Sequence, residues 1–168
     1  MFHVIIHAII LITLTSVSAM AEDLASPTGD VILTISGNVA MTNGGAITQL
    51  DLEMLEALEA TKIETSTIWT TGLQVFEGVS LAVLVKEFGV SGGTVRATAI
   101  NDYTIEIPLT DAVAGGPIVA YRLNAEAMLV RNKGPLWIIY PYDAEVDYRS
   151  EVIYSRSIWQ LDHIEAVD

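Results

Sequence analysis

The sequence predicts an α+β domain, and three observations predict it. Val31, Leu33 and Ile35 face one way with Thr34 and Ser36 the other, the two-residue period of a strand. Leu50, Met54 and Leu58 recur at helical spacing with acidic residues on the opposite face. Residues 136–140 form a continuous apolar run, the pattern of a buried strand. Several strands with two clear helices make an α+β domain.

The elements follow in order. Residues 31–39 make the first strand, and Thr42-Asn43-Gly44-Gly45 makes a turn. Residues 48–60 read as the clearest helix, with Leu55 beside the apolar stripe and Asp51, Glu53, Glu56 and Glu59 outside. Thr48 is placed to cap its free N–H groups, with Asp51 three residues later in a capping-box-like pattern. Residues 61–69, rich in Thr and Ile and closing on Trp69, read as a strand broken by Thr70-Thr71-Gly72. Residues 75–79 read as a connection into a second helix. Ser80 is its cap, Leu81, Leu84, Val85 and Phe88 its buried stripe, and Gly89 its left-handed exit.

Residues 94–100 and 103–107 are expected as strands about Asn101-Asp102, residue types that tolerate turn conformations. Residues 108–116 read as a loop or a short helix. Residues 118–123 and 127–130 flank Asn124-Ala125-Glu126 as a hairpin, followed by a turn at Arg131-Asn132-Lys133-Gly134. Residues 146–154 are expected to be helical, and residues 157–167 to form a closing strand.

Composition bounds the function. The formal charge is −13, from 21 acidic and 8 basic side chains. Such a surface repels phosphate backbones, so nucleic acid is not an expected partner. Residues 4–17 are almost unbroken apolar sequence, shorter than the roughly 20 residues a bilayer span needs. Ala19-Met20-Ala21 follows, a small-x-small cleavage pattern. Residues 1–21 are therefore expected to be a secretory signal peptide, with an uncleaved N-terminal anchor as the alternative. Residues 22–30 are then a flexible leader, residues 31–168 the folded domain, and the location periplasmic or secreted. The chain has no cysteine, so stability comes from packing rather than disulfides.

Catalytic motifs are sparse. Gly-x-Ser-x-Gly, a P-loop and Gly-x-Gly-x-x-Gly are all absent. Only His163 lies beyond residue 21, so neither a histidine metal cluster nor a catalytic triad is expected. Asp143-Ala144-Glu145-Val146-Asp147 lacks the glycine of a calcium loop and reads as a solvated acidic loop.

Four segments carry a family resemblance. They are Phe76-Glu77-Gly78-Val79-Ser80-Leu81, Ala99-Ile100-Asn101-Asp102-Tyr103, Lys133-Gly134-Pro135-Leu136 and Tyr154-Ser155-Arg156-Ser157-Ile158-Trp159. In this order and at these distances, the chain resembles the molybdopterin-binding domain of the sulfite oxidase superfamily, over about residues 31–167. The resemblance implies a mixed β-sheet of that type and a cofactor cleft. It places the family's metal-ligating cysteine at about Thr65, ahead of Trp69. A threonine hydroxyl is a hard, weak donor and cannot replace a soft thiolate.

The candidate cofactor-binding residues are Thr65, Trp69, Asn101, Tyr103, Trp137 and Arg156. Trp69 and Trp137 offer flat faces to a planar ligand, against the competing reading that both are core. Asn101 and Tyr103 would supply its polar rim, although Asn101 also suits a simple turn. Arg156 lies in the segment where the resemblance implies anion binding, with a surface ion pair as the competing reading. No metal site and no catalytic residue is assigned. No cofactor is expected, with molybdopterin the alternative. The expected function is a non-catalytic exported binding or interaction module, taking a small molecule or serving a membrane-associated protein partner. A molybdopterin-dependent oxidoreductase with unusual ligation is the alternative.

Overall fold

The computed structural model describes residues 24–168. The signal-peptide expectation for residues 1–21 lies outside the described residues. No helix among the described residues is long and apolar enough to cross a membrane.

Among the described residues, two five-stranded sheets share one core. The first holds β1 (Leu33–Gly37), β2 (Thr48–Leu50), β5 (Thr94–Ala99), β6 (Thr104–Pro108) and β10 (Leu161–Val167), in the order β2-β1-β10-β5-β6. β1 and β10 run parallel and the other pairs antiparallel, so this sheet is mixed. The second holds β3 (Ala60–Ser66), β4 (Leu73–Ser80), β7 (Ile118–Leu123) and β8 (Glu126–Ala127) in that order, with β9 (Trp137–Ile139) also on β7. Among the described residues, three short α-helices complete the fold: α1 (Leu52–Glu56), α2 (Leu81–Glu87) and α3 (Glu151–Arg156).

The period-two pattern places the core. Val95, Ala97 and Ala99 of β5 are buried while Thr94, Arg96 and Thr98 are less so. β9 is buried at every residue, as its continuous apolar run predicts. The expected features of α2 are present: Ser80 Oγ accepts from Val83 N at 3.1 Å, Leu81 and Leu84 are buried, and Gly89 has φ +61°. A Cβ at Gly89 would also press on Ala40, 2.6 Å away, so the position excludes a side chain on two counts.

Several expectations are corrected. The helix of residues 48–60 shrinks to Leu52–Glu56. Its first three residues are β2, with Leu50 paired to Leu33 and both Thr48 and Leu50 fully buried. Strand pairing outweighs the four-residue apolar spacing, which counted a strand residue as the first rung of a helix. Asp51, not Thr48, is the cap, its Oδ1 accepting from Met54 N at 2.9 Å; the Thr48 hydroxyl donates to Met41 O instead.

Second, residues 75–79 are no connection but the middle of the eight-residue β4, which pairs with β3 and β7. Gly78 carries the local signal of a break. It sits at a bulge where a Cβ would collide with the backbone of Val119 and Ala120, so its bare backbone permits the pairing. Third, the strand expected to reach Trp69 ends at Ser66. Residues 67–70 turn away, with Thr67 Oγ1 bonded to Thr70 Oγ1 at 2.7 Å and accepting from Trp69 N at 3.1 Å.

The closing strand also begins later than expected, at Leu161. Residues 157–160 cross between the sheets. Ile138 N donates to Ile158 O at 2.9 Å, and Leu161 N donates to Leu136 O at 3.0 Å. The cleft opens at this seam.

Candidate functional site

Three pieces of chain meet at the seam and leave a cavity of about 360 Å³. Such a volume falls in the range of small-molecule sites, about 300–1,000 Å³. The turn after β3 brings Trp69. The β5–β6 turn brings Ala99, Asn101 and Tyr103. The last turn of α3 and its exit bring Tyr154, Ser155, Ser157, Ile158 and Trp159.

The walls are aromatic and mutually braced. Trp69 stands edge-to-face with Tyr154, 5.8 Å between centroids at 86°, and with Trp159, 5.8 Å at 73°. It packs in the same way on Trp137, at 5.7 Å and 62°, beneath the cleft. Each such pair contributes about 0.5–1.5 kcal/mol beyond simple burial. Ser157 ties the floor to the core: its Oγ accepts from the Tyr142 hydroxyl at 2.6 Å and donates to Ile153 O at 2.9 Å. Burial pushes the Tyr142 phenol up to about 12, so it stays a neutral donor at any physiological pH.

The six residues proposed from sequence divide. Trp69, Asn101 and Tyr103 come together on the cleft. Asn101 accepts from Tyr103 N at 3.3 Å through Oδ1 and so performs turn chemistry at the edge of the cleft. Trp137 does not line the cavity. It is 1% exposed, and its indole N–H donates to Ser157 O at 3.1 Å. Thr65 does not line it either. It is fully buried, its Oγ1 accepting from Asp143 N at 3.1 Å and donating to Ser66 O at 3.2 Å.

Arg156 does not line the cavity. Its Nη1 pairs with Asp111 Oδ2 at 2.9 Å, and that oxygen also accepts from the Tyr140 hydroxyl at 2.7 Å. Burial, reinforced by Asp111, pushes the Tyr140 phenol far up. Lys133, the other basic residue near the resemblance segments, lies over the rings of Trp137 and Trp159 at 5.7 and 5.6 Å. The cleft walls therefore carry no charged side chain.

Tyr154, Ser155 and Trp159 were missed as wall residues, although their segment carries the family resemblance. Their period follows neither a helix nor a strand, because α3 stops at Arg156 and the chain then crosses between sheets.

The loop after Tyr142 also differs from expectation. Asp143 is not merely solvated: Oδ1 accepts from Ser66 Oγ at 2.9 Å and from Arg149 Nη2 at 3.2 Å, and Oδ2 accepts from Ser66 N. These bonds, the Ser66 amide first, hold its carboxyl below the ordinary 3.8. Asp51 is likewise lowered, chiefly by the Gly29 amide and then by Met54. Both bind a proton more weakly folded than unfolded. Their stabilisation is complete above the ordinary carboxyl range and is lost as pH falls through the lower folded values. Asp162 opposes them, since burial raises it. Urea midpoints are expected to fall between pH 5 and pH 3, and an Asp51→Asn, Asp143→Asn double variant to show a shallower fall. An equal fall in the variant would assign the acid sensitivity elsewhere.

No protein-family model and no curated protein matches the chain. A solved structure does. The fold is shared with a sulfane dehydrogenase. This is SoxCD from Paracoccus pantotrophus, with a TM-score of 0.61 at 18% identity, covering 86% of this chain and 40% of that one. The chain thus corresponds to less than half of that protein, and the likeness is one of fold.

A thiolate-held metal does not suit these residues. The chain has no cysteine, and the hydroxyl at the position the resemblance gives to the ligand is committed to Asp143 and Ser66. Among the described residues, no group of three or more His, Asp or Glu side chains is placed to hold a metal ion.

Proposed function

We propose that the chain is an exported, non-catalytic binding module on a sulfite-oxidase-type scaffold, and that its seam cleft takes a small, planar, uncharged ligand. One observation carries this reading: an open aromatic cavity persists where neither a thiolate nor a cation is offered. Flat heteroaromatic rings gain most from walls of Trp and Tyr. A ligand phosphate would find no basic side chain among the lining residues: Arg156 pairs with Asp111, and Lys133 lies over the Trp137 and Trp159 rings. What remains of a molybdopterin-type ligand is its ring system, without metal and without phosphate. The module would serve a membrane-associated partner by presenting a ligand-dependent surface around the cleft mouth, where Ile100, Tyr103 and Trp159 are partly exposed.

The test is calorimetric titration of the protein with metal-free biopterin, with riboflavin 5′-phosphate as an anionic planar control. Saturable one-to-one binding of biopterin, and none of the phosphate-bearing control, is expected. Preference for the phosphate, or no binding of biopterin, would overturn the ligand assignment.

A further inference from the structure

The Thr65–Asp143 contact lies outside the cavity, at the base of the turn that carries Trp69. β3 ends at Ser66, and the turn that carries Trp69 starts at the next residue. Asp143 grips this end of β3 through three groups. Its carboxylate accepts from the Ser66 amide and, at 2.9 Å, from the Ser66 hydroxyl, while its own amide donates to Thr65 Oγ1 at 3.1 Å. Arg149 clamps the other side, donating through Nη2 to Asp143 Oδ1 at 3.2 Å and through Nε to Tyr142 O at 2.8 Å. Tyr142, one residue before Asp143, packs on both Trp69, at 6.2 Å, and Tyr154, at 5.5 Å.

We propose that Asp143 is a positioning residue that seals the Thr65 side chain from any ligand and sets the Trp69 turn as a wall of the cleft. The carboxylate supplies the acceptor for the Ser66 amide and hydroxyl at the end of β3, a role otherwise left to water, so the segment following Tyr142 lies across Thr65 instead of leaving a channel to it. Charge-assisted bonds to a backbone amide, a hydroxyl and a guanidinium make this grip stronger than a neutral contact of the same shape. The chain is then committed twice over to a metal-free cleft. It lacks the thiolate, and the place for one is shut. Restoring a cysteine would not by itself reopen it.

The absence of native cysteine makes the test free of background, because Thr65→Cys introduces a single thiol. The sealing half stands independently of ligand binding; the Trp69 half rests on the functional reading above. Labelling of T65C with a chromogenic disulfide reagent is expected to be strongly retarded in the folded protein relative to the urea-unfolded one. Adding Asp143→Ala should accelerate labelling of the folded protein by about tenfold or more, the effect of losing roughly one net charged hydrogen bond. Asp143→Asn, whose side-chain carbonyl still accepts from Ser66 N, should restore most of the protection. Circular dichroism identical across the three proteins shows that the fold is intact.

Rapid labelling of T65C alone, or equal rates with and without D143A, would overturn the seal. In parallel, D143A in the otherwise native chain should weaken biopterin binding severalfold, and D143N should recover it. Wild-type binding that D143A leaves unchanged would overturn the positioning of Trp69. If the wild type binds no biopterin while the labelling rates separate as expected, the seal holds and the functional reading fails.

Discussion

Replacing Trp137 by alanine is expected to lower the unfolding free energy by about 3–5 kcal/mol, the range for truncating a buried large aromatic. Trp137 is 1% exposed at the start of β9. Its ring meets Phe76 of β4 at 5.5 Å, Trp69 at 5.7 Å and Trp159 at 6.3 Å. It also pairs with Trp159 as a bridge between the sheets and satisfies Ser157 O. Truncation therefore opens a cavity, removes three edge-to-face contacts and leaves a carbonyl in need of a donor. Domains are stable by only about 5–15 kcal/mol, so the loss is a large share of the total. Urea unfolding should show a large drop in midpoint with little change in slope. Trp137→Phe should retain more than half of the stability, since it keeps the packing and gives up the N–H.

The second large effect is functional. Trp69→Ala is expected to weaken binding of a planar ligand by about fivefold to a hundredfold, corresponding to roughly 1–3 kcal/mol for one lost stacking face. Trp69 is only half-buried and hangs from the 67–70 turn rather than from a strand. Its removal should thus cost less stability than the Trp137 change. The pair of variants separates roles that look identical in sequence: one tryptophan closes the core, and its neighbour in space forms a wall. Equal loss of stability in both, with binding unaffected by W69A, would show that the cavity walls are simply packing. Titration calorimetry and urea unfolding on the same preparations read both quantities.

The distinction between these residues also shows what the sequence could convey. β5, α2 and β9 were legible because each has an uninterrupted local signal: alternation in Thr94–Ala99, a Ser80 cap with a Gly89 exit, and a wholly apolar run. α1 was overread because Leu50 satisfies two patterns, and its partner Leu33 lies 17 positions away, where local periodicity has no reach. β4 was underread because Gly78 resembles a break until its close approach to Val119 is known. Within the site, Trp69, Asn101 and Tyr103 converge, while Thr65, Trp137 and Arg156 are each held by a contact distant in sequence: Asp143, Phe76 and Asp111. Side-chain type indicated which residues were chemically able to act. Only the tertiary contacts show which of them face open space.

The measurement that bears most directly on the whole account is molybdenum content, by elemental analysis, of protein purified from its native host with its cleft contents intact. The account predicts molybdenum far below one atom per chain, together with a small organic ligand released on denaturation. One tightly held molybdenum per chain, with electron transfer that depends on an added substrate, would contradict it.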